Sequence, residues 1–506
     1  FSHLPSSHRS ASFFDQGLAP MLLTQLLGPE IAAPQGISRL FVTGLTADSR
    51  QVAPGFVFAA LPGTNIDGGR FIGDAAARGA VAVLAGADAV LPEGLHIPVL
   101  RAANPRRALA IMAARFYPGQ PEKVVAVTGT SGKSSVADFA RQIFAACGHR
   151  AASLGTIGVV KPDGAVYGSL TTPDPVSLHR TLNELAEDGV THLALEASSH
   201  GLDQHRLDGV RLTAAAFTNL GRDHMDYHAT AEDYLAAKLR LFTELMRPGQ
   251  AVVINTDGAM SERVADAARA RGLWVMTVGR QGRVLRLVDV VRDGFAQIVT
   301  IEADGVTQPV RLPLIGAYQV ENALTAAGLA MAAGIDSGDA LVALEKLSGV
   351  PGRLDMVGEV RGGIVIVDYA HKPEALQAVL ESVRAFVSGR LICVFGCGGD
   401  RDRGKRAIMG RIASQHADVV IVTDDNPRSE DPAAIRADIL SDAPAALQIG
   451  DRKAAIDEAI GMARAGDVVV IAGKGHETGQ IVGNTVLPFC DHEVARAAIL
   501  RETGHD

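Results

Sequence analysis

The stretch VTGTSGKSS, residues 127–135, sets glycines, hydroxyls and one lysine where a strand-forming run (124–127) gives way to a helix-forming one. Gly129 and Gly132 let the backbone N–H groups around Thr130 and Ser131 turn toward a single point. The helix N-terminus that follows adds its positive end. Lys133 adds a full charge, and the Ser134 hydroxyl, with Ser135 beside it, suits a Mg²⁺ ion. This is the chemistry of cradling nucleotide phosphates. Val127 stands where the common phosphate loop has its first glycine, which leaves G-x-x-G-K-S. The strand–loop–helix context therefore carries the reading.

Glu196 follows the apolar run 193–195, and a carboxylate at a strand end beside a phosphate loop is a usual holder of Mg²⁺. The surrounding EASSHGLDQHR (196–206) is too polar for a mere connector. In TNLGRDHMDYH (218–228), His224 reads on its own as a satisfied loop histidine, with metal ligation the other reading. A helix begins near Thr230, with Asp233 completing a capping box. Lys238 shares a face with Tyr234, Leu241 and Leu245. A lysine among apolar neighbours sends its charge outward along its stem, and the pattern favours that course over a buried, modified amine. A third cluster is TDDNPRSED (423–431). Its Asp, Asn, Pro and Ser make a turn by themselves, yet Arg428 sits there among Asp424, Asp425, Glu430 and Asp431. It either balances local charge or reads an anion from outside.

These clusters need elements to position them. Strand and helix patterns alternate along most of the chain, the mark of α/β domains with mostly parallel sheets. At 506 residues the chain is long enough for about three domains. The first spans 21–120 and ends near FYPGQPEK; the second, a P-loop-type unit, spans 121–350; the third, 351–506, follows the linker SGVPGRLD. Strand runs in the third (GIVIVDYA, LICVFG, DVVIVTDD, DVVVIAGKG) all lead into Gly, Asp or Lys. Ligands bind beyond the carboxyl ends of strands in open α/β sheets.

A net charge of −8 without a basic block argues against nucleic acid. The four scattered cysteines read as buried small hydrophobes in a reducing, cytoplasmic setting. No apolar run reaches membrane-spanning length, so no membrane insertion is expected. Residues 1–20 lack the apolar core of a signal peptide and stay outside the fold reasoning.

Taken in order, VTGTSGKSS, LEASSHGLDQHR, FTNLGRDHMDYH, EDYLAAK, VDYAHKPEAL, FGCGGDRDRGKR, TDDNPR and GKGHE resemble the Mur ligases from about residue 40 to 490. The resemblance implies a UDP-sugar-binding first domain, a central ATPase and a Rossmann-like third domain that brings an amino acid. It implies a monomer that uses ATP and Mg²⁺ to phosphorylate the D-Glu side-chain carboxylate of UDP-N-acetylmuramoyl-L-alanyl-D-glutamate. The amine of a diamino acid then displaces the phosphate, a step of peptidoglycan precursor synthesis. By the same resemblance Lys133, Glu196, His224 and Lys238 are the catalytic set, and Ser134, Glu196, His224 and Lys238 hold metal. The resemblance also implies that Lys238 is carbamylated, which reverses the outward-pointing expectation. Asn322, Arg353, Asp368 and His371 join the phosphate loop at ATP. Ser49, Thr64, Asn65 and Ile66 meet the uridine-sugar end, and Thr171, Thr172, Ser198, Gln204 and Arg206 meet the muramoyl dipeptide. Ser134–Ser135 in place of a Thr pair keeps the hydroxyls. Lys372 stands where Thr is frequent, and Leu170 where Asn is often seen.

The family divides by its third substrate. meso-Diaminopimelate carries a distal ammonium and carboxylate that L-lysine lacks as a pair. Arginine is the best planar reader of a carboxylate. Arg401, Asp425, Asn426, Pro427, Arg428, Gly473 and Glu477 are therefore assigned to meso-diaminopimelate, with Glu477 as the ammonium acceptor. The alternatives are an L-lysine-adding relative, a ligase adding D-Ala-D-Ala or folate glutamates, and a non-catalytic assembly subunit.

Overall fold

The computed structural model describes residues 19–63, 67–166, 170–221 and 227–504. The chain forms two compact units, each described by itself. The first contains 19–121 together with Pro173–Gly189 and His200–Arg211; the second contains the rest.

In the first unit, strands Gly44–Thr46, Phe56–Ala60, Ala82–Gly86 and Val99–Ala102 pair in parallel, and Ile31–Ala32 closes one edge antiparallel. These strands are apolar on both sides because both faces are covered. Leu109, Met112 and Phe116 of the helix Pro105–Phe116 pack on one face, and Val52, Phe58 and Ile72 cluster on the other. Asn104 caps that helix by accepting from Arg107 N (3.0 Å), with Pro105 in its first turn.

The second unit holds two large sheets. One has eleven strands. Seven run parallel in the order Ala151–Gly155, His192–Glu196, Lys123–Thr128, Ala214–Phe217, Ala251–Asn255, Trp274–Gly279, Leu285–Asp293. Antiparallel strands extend both edges: Gly158–Lys161 and Gly164–Val166 at one, Ala296–Ala303 and Val306–Leu312 at the other. Register matters most at the centre. Glu196 pairs with Val127, and Phe217 with Thr128, so three loops leave the sheet at one level. Val136, Phe139, Ala140, Ile143 and Phe144 are all buried on the helix Lys133–Ala146, which packs over this sheet.

The other sheet runs Asp355–Val360, Gly363–Asp368, Val468–Ala472, Leu391–Phe395, Val419–Val422, Leu447–Gln448, parallel apart from the first strand. Helices Pro373–Arg384, Lys405–His416 and Pro432–Leu440 cover one face, and Arg452–Gly461 and Asp491–Thr503 the other. This is a doubly wound, Rossmann-like arrangement.

The α/β class with mostly parallel sheets matches the sequence reading. That reading did not contain the antiparallel edges. Their hairpins turn at Asp163–Gly164, Asp293–Gly294 and Asp304–Gly305, and Asp-Gly between alternating runs is a hairpin signal. Cys393 and Cys397 are buried as expected, but Cys147 and Cys490 are partly exposed.

Candidate active site

A cavity of about 500 Å³ opens at the loops leaving the centre of the eleven-stranded sheet. Thr130, Ser131, Gly132, Lys133, Ser134 and Ser135 line it, with Asn322, Arg353, Asp368 and His371 facing them. Gly132 has φ +85°, which a side chain rarely adopts, and a Cβ there would overlap Asn322 Oδ1. The loop is held from the neighbouring strand end. Ser131 N donates to Asn219 Oδ1 (3.0 Å), and Thr218 Oγ1 donates to Ser131 O (2.7 Å). Asp368 is buried and accepts from Leu354 N (2.7 Å) and Ala370 N (2.8 Å). Burial pushes its carboxyl upward, and Arg353 opposes that. The Arg353 guanidinium lies 5.1 Å from the centre of the Tyr369 ring.

Glu196 reaches into the same cavity from its strand end and is 2% exposed. Thr156 aims it, donating from its backbone N (2.8 Å) and its hydroxyl (3.3 Å). Gly155 makes room, since any Cβ there would overlap the Glu196 carboxylate. Thr172 Oγ1 donates to the Glu196 main-chain O (2.9 Å) and accepts from Ser198 N (3.1 Å), and the Thr171 hydroxyl lies 3.0 Å from that of Thr156, which ties all three residues to the strand end that carries Glu196.

Lys238 corrects the pattern-based expectation. It does not send its charge outward: it is 1% exposed, its ammonium donates to Gly129 O (2.8 Å), and it sits 4.3 Å from the Tyr234 ring centre. Packing of its helix against the phosphate loop leaves the stem no route to water. Lys133 Nζ donates to the same Gly129 O (3.0 Å) and to Thr130 O (2.8 Å), so two ammonium groups meet at one carbonyl. Thr230 caps the helix Ala231–Arg240 by accepting from Asp233 N (3.1 Å). The Thr230 hydroxyl donates to the Asp233 carboxylate (2.8 Å).

A second cavity, about 710 Å³, lies at the carboxyl ends of the Rossmann-like strands. Arg401, Asp425, Asn426, Arg428, Gly473 and Glu477 all line it; Pro427 is buried in the turn behind them. The acidic residues around Arg428 have other partners. Asp424 pairs with Arg436, and Glu430 with the fully buried Arg406 (2.8 Å). Asp431 caps the helix Pro432–Leu440. Among the described residues Arg428 makes no ion pair. Its Nη1 donates to Gly399 O (2.9 Å) and Asn426 O (3.3 Å), and its Nε and Nη2 make no bond there. A direct ion pair therefore does not account for Arg428, which lines the cavity with its Nε and Nη2 unbonded among the described residues. Asp425 is pushed up by burial, with Arg452 and Lys474 pulling it back. Tyr369, His371 and Lys372 line both cavities. Burial holds His371 below its ordinary value, so its ring is neutral at neutral pH.

Family models for the Mur ligase family match three stretches: its catalytic domain at residues 41–117, its middle domain at 127–330 and its glutamate ligase domain at 352–475. The UDP-N-acetylmuramoyl-L-alanyl-D-glutamate--2,6-diaminopimelate ligase of Bradyrhizobium diazoefficiens is 57% identical over 95% of this chain and 99% of its own length. The chain belongs to the Mur ligase family. A Mur ligase with the same printed name from Mesorhizobium japonicum is 59% identical over 91% of this chain and 95% of its own. A solved structure of a ligase so named superposes with a TM-score of 0.71 at 32% identity, covering 96% of this chain and all of that one.

Within this Mur ligase chain the remaining assigned residues fall elsewhere. Ser49, Gln204 and Arg206 belong to the first unit, where Arg206 Nη2 donates to Gln204 Oε1 (2.7 Å) and Asp48 caps the helical turn Ser49–Gln51. Thr64, Asn65, Ile66 and His224 lie outside the described residues. Residues the sequence reading passed over are Thr156, Asn219, Tyr369 and Lys474. Asn219 and Lys474 stand inside motifs already quoted for their neighbours. Nothing in the sequence marks Thr156 except its place one residue after a strand-end glycine.

Proposed function

We propose that this chain joins meso-diaminopimelate to the D-Glu side-chain carboxylate of UDP-N-acetylmuramoyl-L-alanyl-D-glutamate, with ATP converted to ADP and phosphate, in the cytoplasm. The observation that carries this reading is the shared wall Tyr369–His371–Lys372. It joins a cavity built on a phosphate loop to one lined by Arg428. The curated relatives above carry this activity in their names. We further propose a division at residues 120 and 350 into sugar-nucleotide, ATPase and amino-acid domains, supported by the gaps between the family matches at 41–117, 127–330 and 352–475.

A carboxylate is a poor electrophile, and phosphorylation supplies its leaving group. The D-Glu carboxylate attacks the γ-phosphorus of ATP and ADP departs. The amine then attacks the acyl carbon of the acyl phosphate, and phosphate leaves with the bonding pair. Lys133 and the N-terminal turn of its helix hold the phosphates, and Asn322, Arg353 and Asp368 complete the nucleotide side. Glu196 and the hydroxyl of Ser134 form a hard oxygen donor set that fits Mg²⁺, with His224 assigned to the same task. Bound there, Mg²⁺ would offset phosphate charge. We assign the proton that the attacking amine must lose to the neutral ring of His371, a reading supported by its lining both cavities. Arg428 and Arg401 read the distal carboxylate, and Glu477 the distal ammonium.

The meeting of two ammonium groups at Gly129 O supports carbamylation of Lys238. Addition of CO₂ to the neutral amine forms an N–C bond, releases a proton and replaces one of two crowded cations by an anion with oxygen donors. The test of the whole reading is phosphate release with UDP-N-acetylmuramoyl-L-alanyl-D-glutamate and ATP, run side by side with meso-diaminopimelate and L-lysine. Turnover that favours L-lysine would assign the other branch. No turnover with either would leave the non-catalytic role.

A further inference from the structure

Behind the lining of the second cavity lies a buried charge that no assigned residue explains. Lys474 is fully buried, yet its ammonium has three acceptors: Glu477 Oε2 (2.9 Å), Asn426 Oδ1 (3.1 Å) and Gly479 O (2.6 Å). A buried lysine is tolerated when its donors are satisfied and its charge is matched. Here the acceptors tie together a turn, a loop and a hairpin. Asn426 lies in the turn that carries Arg428. Glu477 lies in the loop after Val468–Ala472. Gly479 opens a hairpin, Gly479–Val482 with Thr485–Pro488.

The hairpin is itself fastened to the Arg428 turn. Gln480 Nε2 donates to Asp425 O (2.7 Å), and Ile481 N to Asn426 Oδ1 (2.9 Å). Arg428 N donates to Ile481 O (3.0 Å), and Gly483 N to Arg428 O (2.7 Å). These bonds clamp both sides of Arg428, whose φ of +53° an arginine adopts only when its surroundings impose it. Lys474 also divides the work of the Glu477 carboxylate. Oε2 takes Lys474 and Asn426 Nδ2 (2.9 Å), whereas Oε1 has no bond among the described residues.

Three carboxylates, Asp425, Glu477 and Asp491, stand here with two cations, Lys474 and Arg452. Tyr369 and Cys397 also face Asp425, and burial keeps both uncharged. Lys474 and Arg452 offset two of these three carboxylates, while Arg401 and Arg428 line the same cavity with the opposite charge.

We infer that Lys474, together with the hairpin it holds, is a positioning element for the diamino acid: it ties the turn that carries Arg428 to the Glu477 carboxylate, so that the readers of the distal carboxylate and ammonium keep fixed places. The inference rests on the diaminopimelate reading given above and deepens it.

The experiment compares wild type with Lys474→Met, which keeps the stem and removes the charge. Phosphate release is measured with each substrate varied in turn. The expected result is a KM for meso-diaminopimelate raised at least about tenfold, the loss of one well-made charged contact, with KM for ATP and for the UDP-dipeptide unchanged. The acid limb of kcat/KM should also move to higher pH, because Asp425 loses a neighbour that pulls its carboxyl down. If Lys474→Met does not fold, Gln480→Ala carries the test, with a rise of about threefold confined to the diamino acid. A KM within twofold of wild type, or a loss spread evenly over all three substrates, would overturn the inference alone. A wild-type protein that turns over neither diamino acid would overturn both it and the functional reading.

Discussion

Replacing Arg428 by alanine should separate the proposed recognition of a distal carboxylate from the other steps of the reaction. The guanidinium uses Nη1 on two backbone carbonyls, which leaves the Nε–Nη2 edge for one carboxylate in bidentate contact. Each hydrogen bond between charged groups is worth roughly 1.5–3 kcal/mol. Arg428 is partly exposed, so the lower end applies, and two such bonds give about 3 kcal/mol. That corresponds to a fall of about 150-fold in kcat/KM for meso-diaminopimelate. L-Lysine has no distal carboxylate, and its much weaker turnover should change by less than about threefold. The assay is initial-rate phosphate release with each amino acid, at saturating ATP and UDP-dipeptide. Arg428→Gly serves as the folding control, because glycine adopts the left-handed backbone at that position without strain. Equal losses for the two amino acids would refute the argument, since they would mean that Arg428 supports the pocket rather than reads the substrate.

Lys238→Met should abolish phosphate release while leaving the fold intact, and isotopically labelled bicarbonate should give a carbamate signal in wild type that the variant lacks. Gly132→Ala should weaken ATP binding at least about tenfold by calorimetry, because the new Cβ overlaps Asn322 Oδ1 and a left-handed φ costs about 1–2 kcal/mol outside glycine. His492 supplies a pH test of stability. Burial opposes its charge, but hydrogen bonds to Asp355 (2.8 Å) and Cys490 hold its pKa up to about 9 against an ordinary 6.5. A raised folded-state value stabilises fully below about pH 6.5 and is lost as pH rises through about 9. Urea midpoints of wild type and His492→Gln should therefore differ most at low pH and converge above that value.

Much of the site was legible because its residues sit on loops at strand ends, where turn chemistry and local charge stand out from apolar runs. The phosphate loop, Glu196 and the Arg428 turn were each visible this way. What could not be read depends on register or on burial. Glu196 and the phosphate loop converge because two strands align Glu196 with Val127, a pairing between residues far apart in the chain. Lys238 looks like any lysine on an amphipathic helix until the phosphate loop closes over it. Lys474 is invisible for the same reason, since a fully buried cation is defined by its acceptors, two in its own loop at Glu477 and Gly479 and one in the distant turn at Asn426. Assignment of Pro173–Gly189 and His200–Arg211 to the first unit is likewise a matter of packing that periodicity does not encode.

The wall common to the two cavities has a practical side. Tyr369, His371 and Lys372 mark where the two chambers adjoin. A single inhibitor that carried a phosphate mimic and an amino-carboxylate end across that wall would meet both chambers as one body. Its second end would bind at an effective concentration in the millimolar range or above. Two weak fragments, each crystallised in its own chamber, would thus supply the linker length directly.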